Sequence, residues 1–133
     1  MLYDGSSGLS PASSLVPQVA AGAVTGVSVD LTGFESATIV INLGTFGGTT
    51  PGANIRIQES ADGSAWGNVG PEDLIGGALP AFDTSNDAAV IRRGYSGSKQ
   101  FLRVTIPSVS GTSPTIPISA LVLRGDARTQ PVT

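Results

Sequence analysis

Any chemistry in this chain would have to start from carboxylates, because the sequence contains neither histidine nor cysteine. That removes the commonest metal ligand, the usual proton shuttle near neutral pH, the thiolate nucleophile and every disulfide. Glu72, Asp73, Asp83 and Asp87 lie in an irregular stretch, the kind of place where oxygen ligands for calcium are gathered. Asp83-Thr84-Ser85-Asn86-Asp87 comes nearest to a calcium loop but lacks the tight Asp/Asn alternation around a glycine. Asp62, in Ala61-Asp62-Gly63-Ser64, reads as a turn former. A glycosidase needs two carboxylates facing each other across a sugar cleft, and no spacing here selects a pair. A serine hydrolase needs a base, and only Lys99 or a carboxylate is on offer. Gly5-Ser6-Ser7-Gly8 is a loop rather than a nucleophile elbow. Phosphate-cradling and dinucleotide-binding glycine patterns are absent. The expectation is a protein that is not an enzyme, with no cofactor and no dedicated metal.

Two other residue types suit binding rather than catalysis. Trp66 and Tyr95 would make a sugar-stacking platform if they met in space, and otherwise read as a core tryptophan and a turn tyrosine. Arg56 and Arg103 fall on outward strand positions, with Arg92, Arg93 and Arg124 near strand ends. The planar fork of arginine suits protein interfaces, although solvated surface is the plainer reading. With a net charge of -3 and no Lys/Arg run, a nucleic-acid partner is not expected.

These residues must be positioned by strands. The chain has 133 residues, room for one domain with a real core. It holds 18 Gly and 9 Pro, so turns are frequent and the strands between them short. The first ten residues lack the basic and apolar regions of a signal peptide, and no apolar run is long enough to span a bilayer. A soluble protein outside the general secretory route is expected, without membrane association.

Residues 1–22 read as an extended N-terminal arm, with Tyr3, Leu9, Leu15 and Val16 as anchors on a partner. Pro11 and Pro17 break any helix there. Residues 23–126 form the β domain. Val27, Val29 and Leu31 alternate inward on one strand; Ile39, Ile41 and Leu43 do so on the next. Residues 44–52 read as a glycine-rich loop, and Ile55 and Ile57 resume the alternation. A helical turn over residues 71–74 begins with Pro71. Val90 is expected to be buried on a strand over residues 88–93. Leu102, Val104 and Ile106 face inward on the clearest strand. Residues 110–114 turn the chain into a last strand over residues 115–124, with Pro117 at an edge or bulge. Residues 127–133 form a C-terminal tail with Arg128 as a further contact. No repeat of fixed period stands out. About seven strands and no helical stripe predict an all-β, antiparallel fold, a sandwich of jelly-roll or immunoglobulin-like type.

Three phrases go beyond generic β-sheet: Ile55 to Trp66 with Val69 following, Gly94 to Val104, and Ala120 to Gly125 before a Pro-Val terminus. In that order the chain resembles small head proteins of tailed bacteriophages and gene transfer agents, encoded near the major capsid protein. The resemblance covers roughly residues 35–132. Where an aromatic often precedes the strand arginine in that family, Phe101-Leu102 stands here. The resemblance implies a capsid decoration (cement) protein on the outside of the virion head, made in the host cytoplasm. Its partner would be the major capsid protein, and it would self-associate, for example as a homotrimer. A head-spike base or tail component is the alternative within structural proteins, and a carbohydrate-binding module the alternative of another class.

Overall fold

A computed structural model describes residues 9–85 and 88–127. Ten strands form one antiparallel sheet that curls into a half-barrel. They are β1 (Ser10–Ala20), β2 (Val24–Thr25), β3 (Val29–Asp30), β4 (Phe34–Leu43), β5 (Gly47–Ser60), β6 (Gly67–Asn68), β7 (Leu74–Ile75), β8 (Phe82–Asp83), β9 (Val90–Tyr95) and β10 (Phe101–Ala127). The order is β6-β5-β10-β4-β9-β7; β1, β2 and β3 also pair with β10, and β8 with β5. The all-β, antiparallel expectation is met, with ten strands rather than seven. The extra strands are mostly two-residue bridges, too short to leave an alternation in the sequence. The only helix among the described residues is one 3₁₀ turn, Pro71–Asp73, with proline at its start as expected.

The centre of the fold is a long two-stranded ribbon. β10 runs antiparallel first to β5, from Phe101↔Ser60 to Thr115↔Gly47. It then continues against β4, from Ile118↔Leu43 to Ala127↔Phe34. Residues 44–52 and 110–114, expected as a loop and a turn, are therefore the middle of this ribbon. Their glycines and prolines mark a bend, not an end. The two strands bend alike: Gly48-Thr49-Thr50-Pro51 lies opposite Gly111-Thr112-Ser113-Pro114, with Thr49 paired to Thr112. Gly48 and Gly111 have φ of 99° and 107°, and Thr50 and Ser113 have φ of 46° and 49°. A Cβ on Gly48 would meet the Ser113 carbonyl oxygen at 2.6 Å, and one on Gly111 the Thr50 carbonyl oxygen at 2.7 Å. The same spacing carries Ile39, Ile41 and Leu43 onto Leu102, Val104 and Ile106, and Ala53, Ile55 and Ile57 onto Ile116, Ile118 and Ala120. All twelve are buried. The ribbon thus has a local twofold relation, written in only four nearly identical residues and so hidden from a search for periods.

The bend brings the two halves of β10 to either side of β1. Ser13 and Leu15 of β1 pair with Leu121 and Ala120. Between them Ser14 bulges, and its Oγ accepts from the Val104 amide at 2.9 Å and donates to the Val27 carbonyl at 2.8 Å. The chain from Val24 to Asp30 is consequently split into β2 and β3 around Gly26, whose amide donates to the Val104 carbonyl at 3.0 Å. Val29 is buried, but Val27 is exposed, contrary to the expected inward alternation. Val90 is likewise exposed rather than buried. It opens β9 opposite Asn42, and Ile91 turns toward the core in its place.

The sheet begins earlier than residue 23. Residues 10–20, assigned to the arm, form β1 and cover the flank of β10. Pro11 and Pro17 fit because β1 pairs on one side only, where a missing amide donor is tolerated.

Candidate functional site

The outer face of β5, β6 and the first half of β10 gathers the polar residues best placed to meet a partner. Residues directly opposite in an antiparallel pair share a face. Arg103 is opposite Gln58, Thr105 opposite Arg56, and Asn68 opposite Gln58. The Arg103 guanidinium lies over the Trp66 ring, 4.2 Å from its centroid. Its Nε donates to Gln58 Oε1 at 2.9 Å, and Gln58 Nε2 donates to Asn68 Oδ1 at 3.1 Å. The Trp66 indole N–H donates to the Gly63 carbonyl at 3.2 Å, so the ring is held by the hairpin turn. That turn is fixed by Asp62, whose Oδ1 accepts from the amides of Ser64 and Ala65 at 2.8 and 3.0 Å. These bonds hold the Asp62 carboxyl below the usual range and make it the turn former expected from the sequence.

Arg56 and Arg103 therefore come together on one face, in adjacent strands with the Ile57–Val104 pair between them. Glu59, next to Gln58 in sequence, points to the opposite face. There it accepts from the Tyr95 hydroxyl at 2.7 Å. Among the described residues neither arginine has a carboxylate partner. Partial burial lowers the Arg103 pKa, with no neighbouring anion to offset it.

The other expected contacts are dispersed. Leu9 and Val16 are exposed, whereas Leu15 is 1% exposed and belongs to the core of its own chain. As an anchor for a partner Leu15 is corrected: the bulge at Ser14 turns it inward. Tyr3 and Arg128, with Asp87 of the calcium stretch, lie outside the described residues. Asp83 accepts from the Ser85 amide at 2.8 Å, and no cluster of three acidic groups occurs among the described residues.

Arg124 serves a different purpose. Its guanidinium donates to the Ser10 carbonyl, the Ser10 hydroxyl and the Asp30 carbonyl at 3.2, 2.8 and 3.0 Å, and lies 4.8 Å from the Phe34 ring centroid. It ties the first strand to the last. Asp30 Oδ1 takes hydrogen bonds from the Thr32 hydroxyl, the Thr32 amide and Gln100, which depress its pKa. An open cleft of about 460 Å³ beside this network is lined by Phe34, Glu35, Tyr95, Lys99 and Gln100 among others.

Trp66 and Tyr95 do not form a shared platform. Tyr95 is 8% exposed, and its hydroxyl accepts from the Lys99 amide at 3.0 Å as well as donating to Glu59. Burial first, and then the bond to anionic Glu59, push its pKa far above the ordinary value of 10.0. A raised folded-state pKa leaves this contribution intact below pH 10 and removes it as pH climbs further, because only the unfolded tyrosine ionises readily. Stability is therefore expected to fall above about pH 10. Tyr95→Phe, itself destabilising by ~1 kcal/mol through the lost hydrogen bonds, should flatten that fall. Urea midpoints at pH 8 and pH 11 for both proteins give the comparison, and parallel losses would disprove it.

The sequence pattern marked Arg56 and Arg103 but missed Gln58, Asn68 and Ser14. Gln58 and Asn68 matter only through strand register, which one sequence does not display. Compared with protein-family models and with curated proteins, the chain matches none.

Proposed function

We propose that the chain is a structural virion protein, a capsid decoration (cement) protein that binds the outside of a phage head and stabilises capsomer contacts. The observation that carries this reading is the Arg56–Arg103 face. It is a carboxylate-free pair of guanidinium groups, one of them held over the Trp66 ring. The face is open, and a pocket of about 280 Å³ beside it is lined by Arg56 and Asn68 together with apolar Ile57, Val69 and Leu79. Such a face serves attachment. The ordered phrases of the sequence supply the class of partner, the major capsid protein. Many weak contacts repeated over a shell add to strong avidity, and a symmetric oligomer such as a homotrimer would match the shell. We also read the curled sheet as a variant of the jelly-roll or immunoglobulin-like sandwich, with its two halves closed over the core.

The carbohydrate-binding alternative loses one of its two rings, since Tyr95 is core. A spike base or tail component would be present in far fewer copies per particle than a decoration protein. Particles lacking the protein are expected to lose infectivity sooner under heat and osmotic shock than complete ones. Equal survival would reject decoration, and an image of the complete particle would give copy number and location together.

A further inference from the structure

We infer that the face of β5, β6 and β10 is a docking site for an extended acidic segment of a partner protein, two carboxylates in alternate positions meeting Arg103 and Arg56. This deepens the decoration reading by naming the chemistry of the surface that is gripped, but it rests on the chain's own geometry.

The argument begins with Arg103. The Arg103 guanidinium carbon sits over the Trp66 ring at 4.2 Å, and the bond from Nε to Gln58 at 2.9 Å restrains the group further. Gln58 is itself steadied by Asn68 at 3.1 Å. The terminal amino groups form no hydrogen bond to any described residue. A guanidinium immobilised in this way has lost most of the freedom that binding would otherwise remove, so its fork is ready for a carboxylate. Carboxylates match that fork with two parallel hydrogen bonds.

Arg56 supplies the second cation. It is exposed, on the same face, diagonal to Arg103 because its direct partner is Thr105. Diagonal neighbours on an antiparallel pair stand ~7–8 Å apart. Alternate side chains of an extended segment are spaced ~6.5–7 Å. A strand with acidic residues at alternate positions therefore reaches both arginines from one side, leaving its other face free.

Charge complementarity selects the occupant. The sequence carries a net charge of -3, yet this face presents two arginines while Glu59, beside Gln58 in the strand, is turned inward to Tyr95. A nucleic acid would call for a longer basic track than two residues. A protein segment with two carboxylates needs no more than what is present.

The test is a titration of the ¹⁵N-labelled full chain with a capped pentapeptide of alternating threonine and glutamate. The same peptide with glutamine for glutamate is the control, and a ten-nucleotide thymidine strand is the competitor class. Shifts are expected at the Trp66 indole, Arg103 Nε, and the Gln58 and Asn68 amides, with the glutamate peptide alone. Raising salt should weaken them. Arg103→Lys and Arg56→Gln should each reduce affinity about tenfold, the loss expected for charge-assisted hydrogen bonds, with unchanged melting. No shift at ~10 mM peptide, far above the weakest useful affinity, would overturn the inference. So would an equal response to the glutamine peptide, or indifference to both substitutions. Tighter binding of the oligonucleotide would replace it with a nucleic-acid site. The particle-survival experiment is independent: decoration can fail while the carboxylate site stands, and the reverse.

Discussion

Leu15→Ala is expected to destabilise the protein by ~2–5 kcal/mol, the range for truncating a buried leucine whose surroundings relax only partly. Val16→Ala, one residue on, should change stability by less than ~0.5 kcal/mol. The contrast follows from β1. Leu15 is 1% exposed and joins the core cluster, whereas Val16 is 56% exposed. An arm that ordered only on a partner would show neither effect in the isolated protein. Removing residues 1–20 should be more severe still, because β10 would lose its neighbour from Ile116 to Arg124. Buried apolar residues and paired backbone would both meet water. Urea unfolding of the two point variants, with circular dichroism of the truncated chain, measures all three. A truncated chain that melts like the full one would show that β1 contributes nothing to the fold.

The second large effect lies at the junction of Ser14, Gly26 and Val104. A methyl group on Gly26 would sit 2.1 Å from the Val104 carbonyl oxygen and 2.6 Å from Ser14 Oγ. Both are closer than any Cβ contact permits, and one is backbone, so the strand must move. Gly26→Ala should then cost more than ~3 kcal/mol, above the ordinary range for overpacking. Ser14→Ala removes the acceptor of the Val104 amide where both residues are buried, at ~1–3 kcal/mol. The two residues share one junction, so their effects should not add. A double variant losing less than the sum of the single losses, in denaturant midpoints, is the expected sign. Strict additivity would mean that the junction is not a unit.

The sequence displayed the inner face of the sheet more readily than its connections. Ile39, Ile41, Leu43, Ile55, Ile57, Leu102, Val104 and Ile106 were all legible as inward residues, because alternation is a local signal. The bend of the ribbon was not, since glycine and proline announce a change of direction without saying whether pairing stops. Gly48 and Gly111 lie inside strands at register shifts that flank the paired Thr49 and Thr112, and pairing resumes on both sides of the bend. The bulge at Ser14 was hidden for a related reason. The extra residue turns odd-numbered Leu15 inward, a second shift before Gln18 returns the inward set to even positions ending at Ala20, and a single serine gives no hint of either. Of the candidate site, Arg56 and Arg103 could be read as outward, but their meeting on one face depends on register between strands distant in sequence. Trp66 reads from sequence as a core residue, or as a platform partner for Tyr95 should the two meet. Instead it supports Arg103, because the Asp62 turn folds the indole back over β10's outer face.

The ribbon has a consequence for how the molecule is made. Its strands meet across about 40 residues at Ser60 and Phe101 and about 90 at Phe34 and Ala127, with few local contacts to guide them. The chain must close these long loops before the central pairing rewards it. Folding on the scale of roughly milliseconds to seconds is expected for such a topology, slow for a chain of this size. Until β10 arrives, β4 and β5 stand with unpaired edges that another chain can occupy. β10 follows in the chain all five strands that pair with it, so β1 to β5 wait on it, and crowded synthesis is where this protein is most exposed to mispairing.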